Sequence, residues 1–453
     1  MSQQSKMVLG AFFNPTGHHV ASWRHPRGQA DAGVNFSHYA EIARTAERAK
    51  FHTIFLADNI GVRDAKMEAL SRSAQYVANF DPLTLLSALA ATTERIGLIA
   101  TASTSYNEPF HVARKFASID HLSGGRAGWN IVTSTLTSEA RNFGRDEHLG
   151  HAERYDRARE FTGIVLGLWD SWDDDAFRRD KQTGVFFDPD KLHTLDHRGK
   201  YFSVLGPLNV PRPPQGYPVL VQAGASDDGR EFAAEFAEIV FTNHLTVESA
   251  QAYYADLKRR AAAHGRSPDQ IKVMPGLSPI VGRTAGEAQE KFEYLQSLID
   301  PVVGREMLST VLGGVDLSGY PIDGPLPDLP VTNTTIQSAL ENWTRLARSE
   351  NLSIRQLSLR AAGARGKSVV KGSPTDIADI MEQWFKSEAA DGFNVMPPYL
   401  PGALDDFVDL VIPELQKRGL FRTEYEGRTL RENLDLVRPE SRYGAGRRKA
   451  AIA

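Results

Sequence analysis

A serine at position 226 sits between small residues and an acidic pair, in the stretch Gly224-Ala-Ser-Asp-Asp-Gly229-Arg230-Glu231. In outline this is close to a phosphate loop. A Walker loop, however, needs a lysine and then Ser or Thr after its second glycine, to reach the phosphates and hold magnesium. Arg230 and Glu231 stand there instead, which argues against an ATPase. An anion site survives that exclusion. Ser226 follows a strand-like run and precedes a helical one, where free backbone N–H groups and the helix dipole favour negative charge. The same position suits a serine that only caps its own helix.

Four other groups of residues have types and spacing that could do chemistry. Asp58 stands at the end of a strand pattern and Thr104 just past the end of another; each is equally suited to a turn. His151 and Tyr155 are four apart, so on a helix they share a face and could turn polar tips to a ligand. His148 and His151, with Asp146 and Glu147 alongside, invite a metal reading, but no further ligand is indicated and none is assigned. His18, His19 and Trp23 follow the first strand pattern. Spacing alone identifies no Ser–His–Asp set and no paired carboxylates, so the catalytic acid or base stays unassigned.

The elements that must position these residues alternate between short β-rich runs and longer helical patterns, the rhythm of a parallel sheet wrapped by helices. Eight strands are expected, at about 7–13, 53–57, 96–102, 127–132, 219–222, 238–242, 271–281 and 392–396. Between them lie helices signalled by Asp81 and Pro82, by a Thr284…Glu287 capping box, and by Gly265 in the left-handed position that closes a helix. Eight is the strand count of a (β/α)8 barrel, in which Asp58 and Thr104 would lie on the face that carries chemistry. Periodicity alone leaves an open doubly wound sheet as the alternative.

Two segments break the rhythm, about 171–216 and about 300–372. Loops this long within one domain are uncommon, and both read as insertions at barrel loops, where lids and pockets sit. The rest, 1–453, reads as a single barrel domain with a solvated tail at 437–453. Hydrophobic residues make up 41% and charged residues 24% of the 453, ordinary for an enzyme with a large core. With 52 Lys plus Arg against 56 Asp plus Glu, a net charge of −4 gives no basic face for nucleic acid. No cysteine is present, which removes disulfides, thiolate metal sites and a Cys nucleophile, and fits a reducing compartment. Met1–Lys6 carries no apolar signal core, and a cytoplasmic location is expected.

Several long segments together carry a resemblance. They are Tyr106-Asn-Glu-Pro-Phe-His-Val-Ala-Arg114, Leu122-Ser-Gly-Gly-Arg-Ala-Gly-Trp-Asn-Ile-Val-Thr-Ser134, Asn142-Phe-Gly144 with His151-Ala-Glu-Arg-Tyr-Asp156, Gln222-Ala-Gly-Ala-Ser226 and Phe421-Arg-Thr-Glu-Tyr-Glu-Gly427. Over almost its whole length the chain resembles the nitrilotriacetate, dibenzothiophene-sulfone and long-chain alkane monooxygenase group of the bacterial luciferase superfamily. Gly206–Gly216 and Asp391–Pro401 are most similar to the nitrilotriacetate enzymes.

The resemblance implies a luciferase-like barrel that binds reduced FMN (FMNH2), delivered by a separate NAD(P)H:flavin oxidoreductase, in a homodimer or homotetramer. It implies flavin contacts at Asp58, Thr104, His151, Tyr155 and Ser226, with Ser226, joined by Tyr155, at the phosphate. The activity it implies is oxygenation of a small organic substrate by O2. Oxidative C–N cleavage of an aminopolycarboxylate such as nitrilotriacetate is the leading expectation; C–S cleavage, or another xenobiotic oxidation, is the alternative. A flavin-binding protein without turnover is a remote third. His18, His19, Arg24, Arg355 and Arg360 are candidate contacts for substrate carboxylates. One departure stands out: alkane-oxidising relatives carry a histidine where this chain has Thr135, which puts alkane hydroxylation in doubt.

Overall fold

Eight strands run parallel and close on themselves in this computed structural model, which describes residues 6–62, 65–74, 77–328, 343–364 and 368–444. They are β1 (Val8–Phe13), β2 (Thr53–Leu56), β3 (Gly97–Ser103), β4 (Ala127–Val132), β5 (Val219–Gln222), β6 (Ile239–Thr242), β7 (Lys272–Val281) and β8 (Gly392–Val395). Each pairs with the next, and β8 pairs back with β1 through Val8↔Gly392 to Ala11↔Val395. That closure decides between the barrel and the open sheet. A further strand, Ser368–Gly372, extends the far half of β7, and a small hairpin pairs His197–Arg198 with Ser203–Val204.

The strands are buried on both faces, as parallel strands under a helical layer must be. Inward, Val8, Phe12, Phe55, Ile99, Val219, Val221, Ile239 and Met274 form one apolar cluster. Outward, Leu9, Ala11, Ile54, Leu98 and Trp129 meet the helices. Those that bear on the site are α1 (Phe36–Arg48), α2 (Pro82–Ala90), α3 (Pro109–Ser123), α4 (His151–Trp169), α5 (Asp227–Phe236) and α6 (Val247–Ala263). Their ends follow the sequence signals. The Asp81 carboxylate accepts the Thr84 N–H at 2.8 Å, and Gly265 has φ +73° just past α6. Thr284 accepts the N–H of Glu287, while the Glu287 carboxylate takes the N–H of Arg283.

The end of the barrel where the strands begin is stoppered by the chain's own C-terminal segment. Leu430, Leu434 and Leu436 belong to the interior cluster, and each buried leucine is worth about 1.5–3 kcal/mol. The Leu430 N–H donates to Gly125 O at 2.9 Å, just ahead of β4. Arg431, fully buried, forms a forked pair with Glu238 ahead of β6, at 2.8 Å on one arm. The mouth where the strands end is the one left for chemistry.

Two expectations are corrected here. The 171–216 segment joins the end of α4 to the start of β5, so it leaves from the stoppered end, and its hairpin runs back along α4 as far as Arg157, whose guanidinium lies 4.5 Å from the centre of the Phe202 ring. Glu160 of α4 accepts the N–H groups of Tyr201 and Phe202. Nor is the tail simply solvated. Arg438 forks onto Asp174 at 2.6 and 2.8 Å, and Tyr443 stacks on His193 with centroids 4.1 Å apart. Residues 445–453, with the basic Arg447–Lys449, lie outside the described residues. In the second segment the helix Pro301–Val311 packs against the loop after β2, tied by Lys66–Asp316 and Arg72–Asp300.

Candidate active site at the barrel mouth

Where β5 gives way to α5, the backbone turns tightly enough that only glycine fits. A methyl group on Gly229 would lie 2.9 Å from Gly224 Cα, 2.9 Å from Tyr155 Oη and 3.1 Å from Ser226 Oγ. Ser226 caps α5, its Oγ accepting the Gly229 N–H at 3.1 Å, and it is exposed. The cap is therefore real, and the hydroxyl still has a proton to give. Two hydroxyls and a helix N-terminus thus converge at Gly229.

The first turn of α5 also carries Asp227 and Asp228, which would oppose an anion, but both have partners. His151, the first residue of α4, sets Nδ1 2.9 Å from Asp228 Oδ2, and Arg260 of α6 lies 2.6 Å from Asp227. Tyr155 is buried one turn along from His151, with ring centroids 5.1 Å apart, and packs on Phe232. His151, Tyr155 and Ser226 are brought together.

Asp58 and Thr104 lie on the other side of the mouth. Thr104 is buried and donates its hydroxyl to Val132 O at 3.2 Å, while Arg157 of α4 donates to its carbonyl. Asp58, half-buried, lines a cavity of about 200 Å³ with Thr101, Ser103, Thr133, Ser134, Thr135 and Glu139. Desolvation, then the nearby Asp81 and Glu139 carboxylates, push its carboxyl up to about 6, against a lowering by the Asn59 N–H. Glu139 is buried and accepts N–H groups from Ile60, Thr135 and Leu136 at 3.1–3.2 Å, tying the loop after β2 to the loop after β4. Nothing in its spacing announced that role. Arg154 and Arg157, which hold the carbonyls of Ser134 and Thr104, were visible in the helix pattern as an i,i+3 pair but had no assigned part.

The floor is aromatic. Phe12 meets Phe55 and Phe241 edge to face, at 4.6 and 5.5 Å between centroids. His18 packs its ring edge on Phe12 and bonds Phe12 O at 2.9 Å; His19 reaches Gln296. His148 donates Nε2–H to Leu136 O and accepts from Tyr106 through Nδ1, both at 2.7 Å, so both its ring nitrogens are occupied. Among the described residues no three His, Asp or Glu side chains converge as a metal site. Arg24 donates to Leu298 O, and Arg355 and Arg360 pair with Asp323 and Glu350 of their own insertion.

A family model for the luciferase-like monooxygenases matches residues 16–386. The chain belongs to the luciferase-like monooxygenases. It is 51% identical over 443 residues to N-acetyl-S-(2-succino)cysteine monooxygenase of Bacillus subtilis (strain 168), covering 98% of this chain and 99% of that one. It is 50% identical over 448 residues to nitrilotriacetate monooxygenase component A of Aminobacter aminovorans, covering 97% and 99%. Among solved structures, a riboflavin lyase determined with modified FMN and riboflavin superposes with a TM-score of 0.82 at 32% identity, covering 95% of each chain. The family is flavin-dependent. No helix among the described residues is long and apolar enough to cross a membrane.

Proposed function

We propose that this monooxygenase works with reduced FMN supplied by a separate NAD(P)H:flavin oxidoreductase, and oxygenates a carbon that bears both a carboxylate and a nitrogen or sulfur. The observation that carries the flavin reading is the convergence of the Tyr155 and Ser226 hydroxyls with the start of α5 at Gly229. Ser226 Oγ, Tyr155 Oη and the first N–H groups of α5 would hold the phosphate, and Phe12, Phe55 and Phe241 offer an apolar surface to the ring system. His151 masks Asp228, and Asp58 and Thr104 stand across the mouth. Bound reduced flavin supplies the electrons with which one atom of O2 enters substrate and the other leaves as water. The surrounding aromatic side chains keep bulk water out.

The substrate class rests on the two relatives. Nitrilotriacetate carries carboxymethyl groups on nitrogen, and N-acetyl-S-(2-succino)cysteine carries a carboxylate-bearing carbon on sulfur. Oxygenating that carbon gives a carbinol that collapses to a 2-oxo acid and a free amine or thiol. The C–N reading leads for an aminopolycarboxylate such as nitrilotriacetate, and the C–S reading is its alternative. The arginines expected to meet substrate carboxylates, Arg24, Arg355 and Arg360, are engaged locally, and Arg154 and Arg157 on α4, which hold the carbonyls of Ser134 and Thr104, are the alternative cations. A single barrel domain, a homodimer or homotetramer and a cytoplasmic location complete the proposal. The test is incubation with a flavin reductase, NADH and each of the two compounds. A 2-oxo acid from one of them, above an uncoupled background, supports the reading; turnover of a sulfone alone would move the substrate elsewhere in the family.

A further inference from the structure

Two cavities meet at the barrel mouth, and one side chain lines both. The larger is walled by the hydroxyl residues of β3 and of the loop after β4; the smaller, about 50 Å³, by Phe12, Asn14, His18, Tyr39, Asn79 and Phe80 among others. Asp58 stands on the shared wall.

Each cavity holds few groups able to move a proton near neutral pH. In the larger, Glu139 has both oxygens occupied by backbone N–H groups of two loops, which gives it a structural task. In the smaller, His18 bonds Phe12 O, and burial raises the Tyr39 phenol far above its ordinary range. Asp58 has a single backbone partner, Asn59, and the charges acting on it are those of Asp81, from the cap of α2, and Glu139, from the loop after β4. It is the residue common to the linings of the two cavities.

We propose that Asp58 is the acid–base residue of the reaction: its carboxylate takes the hydroxyl proton of the oxygenated carbon and returns it to the departing nitrogen or sulfur. The C–N or C–S bond breaks as the C=O bond forms, and the carboxylate is regenerated. No further oxidant or reductant enters this step, because the electrons were exchanged in the oxygenation before it. The proposal rests on the substrate class above. Its support is positional: a carboxylate at a strand end, raised toward neutrality by burial and two like charges, is suited to passing a proton in both directions. Thr135 lines the same cavity and offers no such group.

The test is the pH profile of kcat and kcat/KM for 2-oxo acid formation in wild type, Asp58→Asn and Asp58→Glu, each at saturating flavin, with flavin affinity titrated separately. Wild type should lose activity about tenfold per pH unit below a limb near pH 6. Asp58→Asn should fall by about 10²–10⁴-fold in kcat and show no limb, and Asp58→Glu should restore the limb. The idea is overturned if Asp58→Asn stays within about threefold of wild type with its limb unchanged, or if saturating flavin restores its kcat in full. If wild type yields no 2-oxo acid from either compound, the substrate reading fails and takes this proposal with it. If wild type turns over and Asp58→Asn matches it within about threefold, only the present proposal fails.

Discussion

Tyr155 lies so close to Gly229 that a methyl group on that glycine would come within 2.9 Å of the tyrosine oxygen. The contact packs α4 directly against the start of α5, with no room for a Cβ between them. Gly229→Ala should therefore push the Tyr155 hydroxyl away from the start of α5. Alanine's helix advantage of up to about 1 kcal/mol over glycine is outweighed by the 2.9 Å approach to the Gly224 backbone, so thermal stability should drop together with an FMN affinity that falls at least tenfold. Parallel melting and FMN titration would separate the two effects, and unchanged affinity would mean that the phosphate lies elsewhere.

Ser226→Ala tests the same cluster from its other side. Losing a hydrogen bond to a charged group costs about 1.5–3 kcal/mol, and FMN binding should weaken accordingly. Riboflavin, which lacks the phosphate, should lose far less. Because Ser226 also caps α5, stability should drop by about 1 kcal/mol. Equal losses for both ligands would reduce Ser226 to a cap.

The parts of this architecture that were legible in sequence are those written in local signals. Strand alternation, the Asp81–Pro82 helix start and Gly265 each reflect the chemistry of a few adjacent residues, and the structure follows them within a residue or two. Ser226 was legible as a helix start, with a cap and an anion site left open as readings. Long-range pairings were not legible. Leu430, Leu434 and Leu436 look like any short helix pattern, and only barrel closure reveals that they fill its base. Glu139 binds backbone groups from two loops, and backbone donors carry no sequence signature. His18 and His19 drew attention as polar residues near the mouth, yet their rings are held by Phe12 O and Gln296, a common outcome for half-hidden histidines.

Asp58 should also show in stability. Its folded-state value of about 6 lies above the unfolded value, so the native state binds the extra proton between roughly pH 4 and 6. Stability then falls as pH rises through that window and the charged carboxylate is left beside Asp81 and Glu139. Asp58→Asn should accordingly raise the melting point at pH 7.5, by a free energy of about 1–2 kcal/mol after allowance for solvent screening, with little effect at pH 4.5. A variant destabilised at pH 7.5 would show that the carboxylate is better accommodated than its neighbours suggest.

Arg431 and Glu238 lock the stopper to the barrel base. Removing one member of a buried pair strands the other, at about 3–5 kcal/mol. Arg431→Ala should lower stability by that order in denaturant unfolding, whereas replacing both residues with apolar ones of similar size should recover much of it. A single-variant loss below about 1 kcal/mol would mean that the leucines hold the segment without the pair.

The most direct measurement of the central claim is turnover under ¹⁸O2 with a flavin reductase, NADH and nitrilotriacetate or N-acetyl-S-(2-succino)cysteine, the carbonyl product being reduced as it forms to prevent exchange with water. One labelled oxygen in the trapped 2-oxo acid, with release of the matching amine or thiol, is the predicted result. Complete oxidation of the reduced flavin with all the label in hydrogen peroxide, and none in an organic product from either compound, would contradict it.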